Sequence, residues 1–201
     1  LCRRPITPEH REEILAQLRE ELENLDKEIM ILEDEKEEAE LRIREASSII
    51  EEISRITHQY DALLVVDAVT SLGGCELHVD EYGIDFCYSA SQKCLNCPPG
   101  LAPITASENA MEKIRNRGSR VQSWYLDLSE IEKYWIENNR VYHHTAPILL
   151  VYALRESLRL LYEEGLEARW ERHLRNAQAL ISGLEALNLE IHAEKQHRCP
   201  A

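Results

Sequence analysis

The chain has 201 residues, 44% of them hydrophobic, and a formal net charge of −14 at pH 7. That length suits one domain or two small ones, and the acidic balance argues against a nucleic-acid partner, which favours a basic footprint. No apolar run approaches the ~18 residues of a membrane helix, and six cysteines in a chain this long read as reduced thiols rather than a disulfide framework.

The start, LCRRPITPEH, has two arginines but no apolar stretch behind them, so it does not read as a signal peptide. A cytoplasmic protein is expected, or a peroxisomal or mitochondrial one in a eukaryote. Next comes a heptad. Leu15, Leu22, Ile29, Lys36, Ile43 and Ile50 fall seven apart, and Leu18, Leu25, Leu32, Ala39, Ala46 and Ile53 follow three residues on. This is an a/d seam, interrupted only by Lys36 at an a position. Thr7 as cap and Pro8 at the first helical position predict a start there. A continuous helix from Pro8 to about His58 would be roughly 75 Å long. Isoleucine at a with leucine at d favours two parallel strands and a chain that is at least dimeric; a helical hairpin folding back near Asp34 and Glu35 is the alternative.

Charge and composition change together near Ser47 and Ser48. Residues 1–53 carry 8 Lys/Arg against 17 Asp/Glu, whereas residues 54–201 carry 15 against 20. Neither glycine nor proline occurs between Pro8 and Gly73; beyond, both become frequent. Two regions follow: 1–48, a heptad helix or coiled coil, and from 49 onward an α/β layer. Within 49–187, ALLVVDA (62–68), IDFCYSA (84–90) and LAPITA (101–106) read as buried strands, and ENAMEKIRNR as a short helix. ILLVYALRESLRLLYEEG and LEARWERHLRNAQALISGLEALN read as long amphipathic helices divided near Gly165. Strands alternating with helices predict a mostly parallel sheet flanked by helices. Ligands of such sheets sit at the carboxyl ends of the strands.

Two charged residues fall at such ends. Asp67 closes VVD inside an apolar run, and a lone buried carboxylate is costly unless it meets a cation. Lys93, in SASQKCLNCPPG, has no charged neighbour from Tyr88 through Gly100. Each has an ordinary explanation: Asp67 as the cap of a helix starting at Ala68, Lys93 as an exposed side chain. Chemistry that needs both also exists. A desolvated lysine condenses with an aldehyde, and an aspartate keeps a pyridine nitrogen protonated; together they are the protein side of a pyridoxal phosphate site.

Residues 49–201 resemble the alanine–glyoxylate and serine–pyruvate aminotransferases, class-V, fold-type I pyridoxal phosphate enzymes. The resemblance rests on YDALLVVDAVTSLGG, GIDFCYSASQKCLNCPPGLAPI, VQSWYLDL, RVYHHTAPILLVYALRESL and EEGLEARWERH, five stretches in order. It implies part of a fold-type I large domain over 49–187 and the start of a small C-terminal domain over 188–201. It also implies that Lys93 bonds covalently to pyridoxal 5′-phosphate, Asp67 pairs with its ring nitrogen, and Val69 packs against the ring. Gln92 then helps hold the phosphate, and Tyr142 and Thr145 reach the phosphate of a neighbouring subunit. The implied partners are amino-acid and 2-oxo-acid substrates and a second copy of the chain sharing the active site. Ser89, Ala90 and Ser91 would leave room for the ring, and Pro98-Pro99-Gly100 would stiffen the turn.

The same resemblance implies parts with no counterpart in this sequence: a glycine-rich phosphate loop, a stacking aromatic and a carboxylate-gripping arginine. A fusion, a misjoined reading frame or a chimera would all give such a sequence. A weakly active or inactive aminotransferase is therefore expected, with a non-catalytic remnant or a coiled-coil assembly module as alternatives. Cys94-x-x-Cys97 lacks the second pair of a zinc site and is expected to pack as small apolar groups. His143 and His144, adjacent in an expected strand, would face opposite ways. Trp124, Tyr125 and Trp135 are expected as core or interface aromatics.

Overall fold

The computed structural model describes residues 7–136, 141–195 and 198–200, and at positions 9, 35, 39, 40, 42 and 43 the backbone alone. The chain divides into two compact units, Leu1–Ala46 and Ser47–Ala201. Helix α1 spans Pro8–Gln59, which at 1.5 Å per residue is roughly 78 Å. Thr7 caps it: its hydroxyl accepts from His10 N–H at 3.4 Å and its carbonyl from Arg11 N–H at 3.0 Å. The helix passes Asp34 and Glu35 without a turn, which excludes the hairpin. Seam positions Ala39 and Ile43 lie outside the described side chains.

The C-terminal end of α1 is closed by Asp61, whose φ of 52° is left-handed. Ala62 N–H returns to Thr57 O at 3.1 Å and Asp61 N–H to His58 O at 3.1 Å, the two bonds of a Schellman cap. Lys113 donates to both the Asp61 carbonyl and its carboxylate. Helix α5 (Leu166–Ala186) ends the same way on Asn188, φ 58°, with Leu189 N–H returning to Leu184 O at 3.0 Å.

Three short strands form one sheet in the order β1-β2-β3: Val65–Asp67, Phe86–Tyr88 and Ile104–Ala106. β1 and β2 are parallel, with Asp67 opposite Tyr88. β2 and β3 are antiparallel, so the sheet is mixed. The reason is the connection. A parallel return needs a crossover, usually a helix, but residues 89–103 form turns only. The small core beneath the sheet is Ala68, Tyr82, Ile84 and Cys87, with Ile50, Leu64, Val66 and Leu72 packed against it.

Helix α2 (Glu108–Arg115) is capped by Ser107 Oγ, which accepts from Ala110 N–H at 3.1 Å. A 3-10 turn (Trp124–Leu126) and helix α3 (Leu128–Trp135) follow. The α3 cap, Asp127, accepts from Ser129 N–H at 3.1 Å, and Glu130 three residues on completes the pattern of a capping box. α4 (Ile148–Glu164) and α5 (Leu166–Ala186) divide at Gly165, φ 85°. Residues 187–195 and 198–200 contain no strand.

Gly83 tightens the turn before β2. Its φ is 64°, and a Cβ there would lie 2.6 Å from Ser54 Oγ, a buried hydroxyl that donates to Gly83 O at 2.7 Å. Gly83→Ala should therefore destabilise the protein by about 1–3 kcal/mol, the usual scale of a forced left-handed backbone. A lowered denaturant midpoint reads this out, and an unchanged midpoint would mean that neither the left-handed backbone nor the approach to Ser54 carries a cost there.

Candidate functional site

The carboxyl edge of the parallel pair carries both charged residues singled out in the sequence. Asp67 ends β1. Its Oδ1 accepts from Val69 N–H at 2.8 Å, and its Oδ2 accepts from the Tyr88 hydroxyl at 2.9 Å, across the β1–β2 register. The hydrogen bond to the carboxylate, and after it burial, make this hydroxyl harder to ionise. Asp67 is exposed, not buried: with only three short strands, nothing described covers that edge. The Asp67–Val69 bond is an Asx turn, and no helix begins at Ala68. Val69, partly buried, is fixed by this bond.

Lys93 follows β2 in a closed turn built on Ser91, which is completely buried. Ser91 Oγ donates to Pro98 O at 2.7 Å and accepts from Leu101 N–H at 3.3 Å, while Cys97 N–H reaches Ser91 O at 3.0 Å. Ser89 Oγ donates to Ala68 O at 3.0 Å. These two serines brace the turn. Asn96, φ 55°, lets the chain reverse, with its N–H on Lys93 O at 2.8 Å. Cys94 Sγ donates to Thr70 O at 3.1 Å, tying the Lys93 turn to the segment after Asp67. Buried Arg169 of α5 donates to Cys94 O, and buried Ser157 of α4 donates to Leu95 O. The segment after β1, the 97–101 turn, α4 and α5 therefore hold the backbone on both sides of Lys93, while its side chain and that of Gln92 are exposed.

The amine of Lys93 stands apart from the other lysines. Lys27 pairs with Glu23 at 2.9 Å, Lys113 with Asp61 at 2.7 Å and Lys133 with Glu130 at 2.8 Å; Lys36 and Lys195 also have partners. Among the described residues, no hydrogen bond or ion pair engages Lys93 Nζ.

Tyr142 and Thr145 belong to a different cluster. Their hydroxyls are 2.5 Å apart, and the Tyr142 ring meets Tyr134 edge-on at 5.6 Å. Residues 141–147 are irregular rather than a strand. His143 and His144 consequently meet, Nδ1 to Nδ1 at 2.7 Å, and buried His143 turns its Nε2 to Trp124 O at 2.9 Å. Trp124, Tyr125 and Trp135 are each more than half exposed and are not core. Cys87 and Cys97 are buried as small apolar groups, but Cys75 and Cys94 are only partly so. Among the described residues no group of three His, Cys, Asp or Glu could hold a metal ion.

Three contributors escape the sequence patterns: Tyr88, Arg169 and Asp85. Asp85, 2% exposed, accepts from Leu64 N–H at 2.9 Å, His58 Nε2 at 2.7 Å and Ser107 Oγ at 2.8 Å. Burial alone would push its carboxyl up, but these bonds, led by Leu64 N–H, hold it below the usual carboxylate range. It ties α1, β1, β2 and the α2 cap together, upstream of the Asp67 edge. Arg169 shares Glu164 with Arg172. The Arg172 hydrogen bond, outweighing burial, holds Glu164 down to about 2. The stretch EEGLEARWERH contains all three residues.

Residues 46–200 match the aminotransferase class-V family, and residues 1–29 match the Rad50 zinc hook motif. The second span contains one cysteine, Cys2, short of the thiolates that a structural zinc site uses. An uncharacterized aminotransferase of Methanocaldococcus jannaschii is 45% identical over 153 residues, 76% of this chain and 39% of that protein. The (S)-ureidoglycine–glyoxylate transaminase of Bacillus subtilis is 42% identical over 158 residues, covering 70% of this chain and 38% of its own length. The crystal structure of an alanine–glyoxylate aminotransferase from Nostoc sp. superposes with a TM-score of 0.71 at 48% identity, covering 74% of this chain and 39% of that one. The chain thus spans well under half the length of these proteins.

Proposed function

The chain belongs to the aminotransferase class-V family, and from that premise we propose that it carries the lysine–aspartate half of a pyridoxal phosphate site that passes amino groups between amino acids and 2-oxo acids. Glyoxylate is the proposed acceptor, since both the Bacillus subtilis and the Nostoc proteins are named for it. The observation that carries the reading is the placement of Asp67 and an unengaged Lys93 amine on one braced edge of the β1–β2 pair. The residues fit the cofactor in kind. Each Asp67 oxygen holds one donor and, as a carboxylate oxygen, has room for another, so it can take a ring N–H beside Tyr88. When bound, pyridoxal phosphate supplies the electron sink.

The rest is the protein's part. Asp67 keeps positive charge on the ring nitrogen, and Val69 flanks the ring. The Lys93 amine would move a proton to and from the substrate Cα. Gln92 donates to phosphate through its amide. Tyr142 and Thr145 offer hydroxyls to the phosphate of a second subunit, which makes a homodimer with shared sites the proposed assembly. Among the described residues no helix is long and apolar enough to cross a membrane.

Pyridoxal phosphate followed by borohydride should place a pyridoxyl group on the Lys93 peptide, and Lys93→Ala should remove it. Labelling spread evenly over the surface lysines, or unchanged in Lys93→Ala, would take Lys93 out of the role.

A further inference from the structure

Helix α1 presents an apolar stripe that lies exposed among the described residues. Leu18, Leu22, Leu25, Ile29 and Leu32 are each more than half exposed, along about 21 Å of helix axis. A seam of a and d positions of this kind asks for a facing helix, and the residues beside it, at e and g, decide which one. Here the g positions hold Glu21 and Glu28, and the e positions Asp26 and Glu33. Lys27, between them in sequence, is turned to the outer face, where it pairs with Glu23 at 2.9 Å.

A second copy is a poor fit. In a parallel in-register pair, each g residue meets the e residue five positions on in the partner. That sets Glu21 against Asp26 and Glu28 against Glu33, each twice by symmetry. In an antiparallel pair g faces g and e faces e. In the register centred on the stripe, Glu21 and Glu28 then meet each other's copies, and Asp26 and Glu33 do the same, with Arg19 of opposite sign; the next cation at such a position, Arg42, lies beyond the stripe. Like charges flanking a seam select against a pairing and leave the apolar stripe to a partner of complementary charge.

We propose that α1 is one strand of a heterotypic coiled coil whose other strand is a helix from a different chain, with an apolar heptad seam flanked by lysine or arginine. The expected homotypic coil is thereby replaced on this segment, independently of any pairing through residues 47–201.

Two synthetic helical peptides test it, both with Ile at a and Leu at d, one with Lys and the other with Glu at every e and g. The full 201-residue chain should bind the Lys peptide more than about tenfold tighter than the Glu peptide at low salt, with the gap narrowing as salt screens the flanks. Leu25→Asp should abolish binding, and E21K/E28K should shrink or invert the preference. Binding to neither peptide, or equally to both, would overturn the proposal. So would sedimentation showing self-association of the full chain that Leu25→Asp removes, because the occupant would then be a second copy.

Discussion

Asp85→Ala should be among the most damaging single substitutions in the α/β unit, lowering stability by about 2–4 kcal/mol. The side chain is 2% exposed and is the common acceptor of Leu64 N–H, His58 and the Ser107 hydroxyl. Removing it strands donors that each cost about 1–3 kcal/mol when buried without an acceptor. The His58 ring is partly solvated and can turn to water, which holds the total below the sum. The loss should show as a lower urea midpoint with unchanged slope. Asp85→Asn keeps the volume and one acceptor oxygen and should fall between alanine and the native residue. A variant within a few tenths of a kcal/mol of the parent would mean that the hub contributes little.

The same residue gives a pH dependence of definite sign. Its carboxyl is held below its ordinary value in the folded protein, so the folded state binds its proton less readily than the unfolded chain. That stability is present above the unfolded carboxylate value of about 3.9 and is lost as pH falls through the lowered folded value. As pH falls below the unfolded value of about 3.9, the gap between the parent and Asp85→Ala stability curves should narrow.

What could be read in the residues follows the range of the interactions. The 52-residue helix was legible because heptad spacing and the Thr7-Pro8 start are local. Strands β1 and β2 were legible from β-branched and aromatic runs, and the α4–α5 break from Gly165. The antiparallel turn of β3 was not: direction depends on whether residues 89–103 form a helix, and Ser91 closes them instead into a turn through bonds to Pro98 and Leu101. Helix α3 did carry a local mark, Asp127 with Glu130, that strand-and-helix periodicity overlooks. The Asp85 hub had none, because its partners His58, Leu64 and Ser107 lie 21–27 residues away. Of the site, Asp67 and Lys93 stood out as charges beside strand ends. Tyr88, which meets Asp67 only through the β1–β2 register, could not stand out in the same way.

Purified as its 201 residues, the chain should transfer no measurable amino group from alanine to glyoxylate, even where Lys93 takes the pyridoxyl label. The two readouts ask for different things. Labelling needs an accessible amine, and Lys93 is exposed. Turnover needs the cofactor, the substrate and that amine held in a reacting geometry, an advantage worth ~7–11 kcal/mol in well-oriented intramolecular systems. It also needs water excluded, so that the charge on Asp67 acts at full strength. Here Asp67, Gln92 and Lys93 are all open to solvent, and the residues that brace the turn, Ser89, Ser91, Ser157 and Arg169, hold its backbone rather than a ligand. Asp67→Asn should accordingly leave the Lys93 label nearly intact while weakening retention of the cofactor on dialysis, because the amide no longer stabilises a charged ring nitrogen. Robust alanine-to-glyoxylate transfer by this chain would show that the braced edge is by itself a sufficient active site.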